Sequence, residues 1–155
     1  YDMVAEVCDY MQTLGWGPYQ NDHEDANGQF EMNWDYSDAL VTADRHSFFK
    51  YMVKTVAENH GFRATFMPKP LPYLTGNGCH AHISVWNNDG QTNLMEDSSG
   101  ELGLSELAYH FIGGLLKHAT SITAVTNPVV NSYKRINAPR TTSGFCEESI
   151  FTGRG

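Results

Sequence analysis

Apolar residues recur along this chain at two different spacings, and the order in which those spacings occur restricts the fold most. Residues 3–14 put Val4, Val7, Cys8 and Met11 on one helical face, and Gly15 closes the segment. Residues 19–34 alternate in short pieces around Asn27-Gly28, the strongest short hairpin signal a sequence offers. Residues 37–60 return to helical spacing through Phe49, Met52, Val53 and Val56, and Gly61 ends them. Short strands are predicted at 62–67 and 79–86, separated by the stiff Pro68-Lys69-Pro70-Leu71-Pro72 connector. A third helix is predicted over 103–125 with Leu104, Ala108, Phe111 and Leu115 inward, and the stretch from Asn127 reads as loop. Helices and strands do not alternate as regular βαβ units. The expected class is therefore α+β, an antiparallel sheet with packed helices.

Charge and cysteine usage narrow the function classes. The formal charge is −8 over 155 residues. A nucleic-acid or anionic-membrane partner needs a basic face, so neither is expected. Cys8, Cys79 and Cys146 are far apart and form no CxxC pair, which disfavours a disulfide framework or a thiolate zinc site. A reducing cytoplasm is the expected compartment. The longest apolar run, 111–125, is interrupted by Lys117 and His118 and is too short to span a bilayer. The chain opens on Tyr1-Asp2 and stops at Gly155 without a closing element, so it reads as a piece of a longer protein.

Two segments bring chemistry-bearing side chains together. If Asn27-Gly28 forms a two-residue hairpin loop, Ala26 faces Gln29, Asp25 faces Phe30 and Glu24 faces Glu31. Two carboxylates opposed on one sheet face repel unless a cation, an arginine or a shared proton offsets them. Hard oxygen ligands of this kind suit Mg²⁺ or Mn²⁺; the plain alternative is a longer loop with both glutamates in water. On a strand, His80, His82 and Ser84 share one face, and Cys79, Ala81 and Ile83 the other. That pattern fits a site. It also fits a half-exposed strand with ordinary polar residues outward. His-x-His with a remote glutamate is compatible with a facial-triad iron oxidase as well. Lys134-Arg135 could hold a carboxylate or phosphate, or form a solvent-facing turn. Gly76-Asn77-Gly78 matches neither a dinucleotide fingerprint nor a Walker loop, and no Gly-x-Ser-x-Gly elbow is present. His46, His60, His110 and His118 read as surface or packing residues.

Taken in order, His23-Glu24 with Gly28-Gln29-Phe30-Glu31, then Ala64-Thr65-Phe66-Met67-Pro68-Lys69-Pro70, then Gly76-Asn77-Gly78-Cys79-His80-Ala81-His82-Ile83-Ser84, then Asn127-Pro128 and Asn131-Ser132-Tyr133-Lys134-Arg135, resemble the catalytic domain of glutamine synthetase. The resemblance is clearest over residues 18–136. It implies that 1–155 is part of that domain, with the N-terminal domain and the C-terminal remainder outside the chain. It further implies an ATP-dependent ligase that phosphorylates the γ-carboxylate of glutamate and lets ammonia displace the phosphate. Glu24, Glu31 and His80 match metal-ligand positions for Mg²⁺ or Mn²⁺: the glutamates at one site, the histidine at its neighbour. His82 and Ser84 match positions contacting ATP, and Tyr36, more loosely, an aromatic residue by the nucleotide. Gly76 and Thr75 lie at the bound amino acid. Arg135 matches the arginine that holds the substrate carboxylate and supports the developing charge. Homo-oligomers, in which a neighbouring subunit closes the site, are implied for the full-length protein.

The sequence departs from the family pattern in two places. Thr75 stands where the family usually has Asn. Ile136-Asn137-Ala138-Pro139-Arg140 stands where most members carry a proline–glycine–aromatic–glutamate flap near the ammonium site. Both departures lie near substrate and leave open another small amine in place of ammonia, or an inactive member with a regulatory or assembly role. Residues 145–155 match no part of the pattern.

Overall fold

The computed structural model describes residues 1–136. The departure at 137–140, Cys146 and the unmatched tail lie outside the described residues. The elements are α1 (Asp2–Thr13), β1 (Pro18–His23), β2 (Phe30–Trp34), α2 (Ala39–Asn59), a 3₁₀ turn (Glu101–Gly103), α3 (Glu106–Thr126) and α4 (Val130–Ile136). Helices packed beside a two-stranded antiparallel sheet make this α+β, as expected. Two compact units divide at Thr75/Gly76, and each is described by itself. No described helix is long and apolar enough to cross a membrane.

In the first unit the predicted helical stripes become the core. Val7 and Met11 of α1 meet Phe49, Met52, Val53 and Val56 of α2, with Trp16 completing the cluster. Met32 and Trp34 of β2 pack against it, as do Ala64 and Phe66. The Phe49 ring lies 5.1 Å from Trp34 and 5.9 Å from Phe66. Gly15 adopts φ +71°, which lets the chain reverse directly after α1.

Residues 62–67 form no strand, contrary to expectation. Their alternation survives, since Ala64 and Phe66 turn to the core while Thr65 and Met67 stay exposed. What is missing among the described residues is a neighbouring strand, and a strand exists only as part of a ladder. The same holds for 79–84. Near that segment there are only isolated bridges, Trp86 with Asn93 and Glu96 with Leu104.

The loop expected from Asn127 onward is instead a short helix, α4. Seven residues are too few for an apolar stripe to show as a period, and Val129-Val130 weaken helix propensity. Lys134 and Arg135 occupy its last turn, where positive charge complements the helix dipole.

Candidate metal and substrate site

The hairpin carries the acidic pair, but in a register different from the expected one. The opposed residues are His23 and Phe30, Asp22 and Glu31, Asn21 and Met32, Gln20 and Asn33. Glu24 therefore does not face Glu31 across the ladder. Asp22 does. The physical reason is the turn. Gln29 N–H donates to Ala26 O at 3.0 Å, so Asn27-Gly28 form the centre of a four-residue turn, with Gly28 at φ +75°. The Gln29 side chain accepts from Ala26 N–H, and Glu24 N–H donates to Gln29 O. The reversal consumes residues 24–29, three before Asn27-Gly28 and one after, and that asymmetry shifts the register.

Nevertheless the two glutamate carboxylates meet. A hydrogen bond to Glu31 is the main cause holding Glu24 above the ordinary carboxylate range; a backbone N–H from Asp25 pulls the other way, and burial adds a smaller upward push. Two carboxyl groups brought this close favour the neutral form of one of them, which is the direction of the Glu24 shift. The rest of this polar face is buffered by amides. Asn33 Nδ2 donates to Glu31 Oε1 at 2.9 Å, and Gln20 Nε2 donates to Asp22 Oδ2. On the opposite face His23 and Phe30 stack edge to face at 5.6 Å, and Met32 and Trp34 reach the core. The strand alternation thus presents carboxylates outward because Met32 and Trp34 are drawn inward.

The donor chemistry of the Glu24–Glu31 pair fits a hard divalent cation in part. Mg²⁺ is commonly held by one or two carboxylates and completed by phosphate oxygens and water. No group of three or more His, Cys, Asp or Glu side chains poised to hold an ion occurs among the described residues. The pair therefore supplies a share of a coordination sphere and not a closed cage.

The second unit gathers His80, Gly78 and Arg135. A Cβ placed on Gly78 would stand 3.3 Å from His80 Nε2 and 3.4 Å from Arg135 Nη2, so ring and guanidinium converge on that glycine. Arg135 is half-buried, and its Nε is enclosed without a hydrogen-bond partner among the described residues. An enclosed guanidinium N–H lacking an acceptor is costly, and a bidentate carboxylate is the group that best supplies one. Ser132, on the same short helix, is buried. Gly76 is buried, Thr75 half-buried.

The remaining predicted residues stand as follows. His80 and His82 are exposed. Ala81 and Ile83 line an apolar groove of about 510 Å³ with Phe111, Ile112 and Leu115 of α3. Ile83 stays 60% exposed, so it faces a groove and not a closed core. Ser84 departs from the expected face: it lines the same groove, and its Oγ accepts from Trp86 Nε1 at 2.9 Å. With no ladder on either side, strict alternation is not enforced, and the indole donor claims the hydroxyl. Tyr36, in the first unit, is 89% exposed.

Lys69 lies in one of the family motifs and, like Lys134, carries no role implied by the resemblance. It is 7% exposed, and its Nζ donates to Leu74 O at 2.6 Å, tying down the turn that leads to Thr75. Its place in a proline-rich connector gave no sign of burial.

A profile of the glutamine synthetase catalytic domain matches residues 1–145. The chain belongs to the glutamine synthetase family. The match extends beyond the 18–136 legible from motifs, taking in α1. Over 144 residues the chain is 69% identical to a glutamine synthetase of Rhizobium meliloti (strain 1021), covering 93% of this chain and 33% of that one. It is also 47% identical over 143 residues to a glutamate–methylamine ligase of Methyloversatilis universalis, covering 91% and 32%. A solved GmaS–ADP complex superposes with a TM-score of 0.86 at 71% identity, covering 93% of this chain and 33% of that one. The chain thus spans about a third of the length of the relatives it matches, and the family is one of ATP-dependent ligases.

Proposed function

We propose that this chain is part of the catalytic domain of an ATP-dependent ligase that joins the γ-carboxylate of glutamate to ammonia or a small primary amine. The observation that carries the reading is the Glu24–Glu31 carboxyl pair, held in contact on the outward face of a hairpin whose other face is anchored in the core. Glu24 and Glu31 would hold one Mg²⁺ or Mn²⁺, and His80 would belong to a second. His82, Ser84 and Tyr36 belong to the ATP site. Gly76 and Thr75 belong to the amino-acid site, and Arg135 takes the substrate carboxylate. The full-length protein acts in the cytoplasm as a homo-oligomer.

Divalent cations held there would supply charge neutralisation on the phosphates, a large part of catalysis in such transfers. This chain's own part is electrostatic and positional. The Glu24 and Glu31 carboxylates would hold a cation, and the Arg135 fork would fix the acid while supporting charge that develops on it. The γ-carboxylate oxygen attacks the terminal phosphorus of ATP and ADP leaves. The amine then attacks the acyl carbon, releasing phosphate and a proton.

A second reading concerns the amine. The 47% identity to a glutamate–methylamine ligase, with the departures at Thr75 and 137–140, favours methylamine as an alternative to ammonia. Phosphate release by a full-length ligase carrying this segment, with each amine in turn, decides between them. For the chain alone, Mn²⁺ titration followed by water-proton relaxation tests the metal reading. Glu31→Gln is expected to weaken binding at least about tenfold, because a neutral amide replaces a charged ligand. Equal binding by the variant would remove Glu31 from the site. The chain alone is expected to show no glutamate-dependent phosphate release, and robust release abolished by Glu31→Gln would show that the remaining two thirds are dispensable.

A further inference from the structure

Gly78 has no side chain, and its backbone gives no reason for that. Gly15, Gly28 and Gly61 sit in the left-handed region that favours glycine, but Gly78 does not. An L-residue could adopt its conformation. What it could not do freely is occupy the space, because a Cβ there would press on His80 Nε2 at 3.3 Å and Arg135 Nη2 at 3.4 Å. The His80 contact is tighter than a Cβ ordinarily makes, and the Arg135 contact stands at the near edge of ordinary van der Waals distance. Gly113 and Gly114 of α3, by contrast, face open space. The Arg135 Nε is already enclosed, which limits how the guanidinium can yield.

We propose that Gly78 is a positioning residue of the substrate site: its missing Cβ lets the His80 ring and the Arg135 guanidinium converge on one point. The inference rests on the roles given above to His80 and Arg135. A bidentate guanidinium–carboxylate pair and a metal-bound imidazole each tolerate displacements of only about 0.5 Å. A methyl group at position 78 makes the His80 ring give by a few tenths of an ångström, beside a guanidinium already in contact. The loss should therefore fall on ligand binding, and the fold should be spared.

The test follows the Arg135 Nε–Hε resonance of the chain during titration with glutamate. In the wild type the resonance shifts on binding. Gly78→Ala is expected to weaken the apparent affinity by about five- to tenfold, a size consistent with sub-ångström misplacement, while the melting temperature holds. Gly113→Ala should leave the affinity unchanged and, as an alanine in a helix interior, raise the melting temperature slightly. The deciding variant is Gly78→Ala combined with His80→Ala. Removing the ring gives the guanidinium room, so the double variant should bind within about twofold of His80→Ala alone, the signature of coupled neighbours. If wild-type Arg135 does not respond to glutamate, the substrate reading of Arg135 fails and this proposal with it. If Arg135 responds and Gly78→Ala binds as well as wild type, only the proposal fails. Should Gly78→Ala lower the melting temperature, recovery in the double variant supports crowding at this point, and persistent loss overturns it.

Discussion

α2 and α3 are each 21 residues long and are held together by different means. α2 buries Phe49, Met52, Val53, Val56 and Ala57, yet its N-cap residue Asp38 makes no side-chain capping bond. α3 buries only Ala108, yet Ser105 caps it, accepting from Ala108 N–H at 3.3 Å. Ser105 Oγ also donates to Leu94 O at 2.6 Å, which ties the cap to the preceding loop. The helix with the weaker start has the stronger packing. Tertiary burial is normally the larger source of helix stability, so the first unit should be the more cooperative. α3 instead exposes Leu107, Ile112, Leu115, Leu116 and Val125, a composition suited to a helix enclosed on several sides.

The sharpest way to break this comparison is to truncate one apolar side chain in each helix. Phe49→Ala is expected to destabilise the first unit by about 3–5 kcal/mol, the usual cost of removing a buried phenyl ring. Leu116→Ala, at a position 56% exposed, should stay within about 0.5 kcal/mol. Urea midpoints followed by tryptophan fluorescence report the first, since Trp16 and Trp34 lie in that core. Amide exchange on α3 reports the second. Equal costs would mean that α3 is packed in solution as tightly as α2.

A smaller effect sharpens the same contrast. Ser105→Ala removes the α3 cap and should cost about 1 kcal/mol of local stability. Asp38→Ala should cost far less, because no capping bond is lost. The readout is amide exchange in the first turn of each helix. A larger loss at Asp38 would show that α2 depends on its N-terminus despite its packing.

Legibility from sequence divides along the same line. The three long helices were readable to within three residues at each end, because a stripe repeated over several turns is a local property. Strands at 62–67 and 79–86 were readable as periods, and Ala64, Phe66, Ala81 and Ile83 do turn together. Whether a period becomes a strand depends on a partner elsewhere in the chain, which no local pattern contains. The hairpin shows the finer limit. Asn27-Gly28 marked the reversal correctly, but two turn lengths can use the same dipeptide, and the choice between them moved Glu31 opposite Asp22. The Glu24–Glu31 meeting was anticipated for the wrong geometric reason. The convergence of His80 and Arg135 on Gly78 was not legible at all, since more than fifty residues separate them. Only the ordered motifs of the family carried that information.

The smallest expected effect lies where α1 meets the end of α2. His60, the C-cap residue of α2, contacts Glu6 Oε2 of α1 at 2.6 Å, and Tyr10 OH donates to Glu6 Oε1 at 2.9 Å. The His60 bond is the first cause, and the Tyr10 bond the second, of a Glu6 pKa held below its ordinary value of 4.5. A carboxylate whose folded pKa is depressed contributes stability above its unfolded pKa and loses it as pH falls through the folded value. The first unit should therefore lose a small increment of stability as pH drops below 4.5. The increment stays small because the pair is solvent-exposed and screened, so it should shrink further in high salt. Glu6→Gln removes the ionisable group and should flatten that part of the pH profile while leaving the core intact. Melting curves from pH 6 to pH 3 decide the matter. If wild type and Glu6→Gln fall in parallel, the α1–α2 junction is held by Val7, Met11 and their apolar neighbours alone.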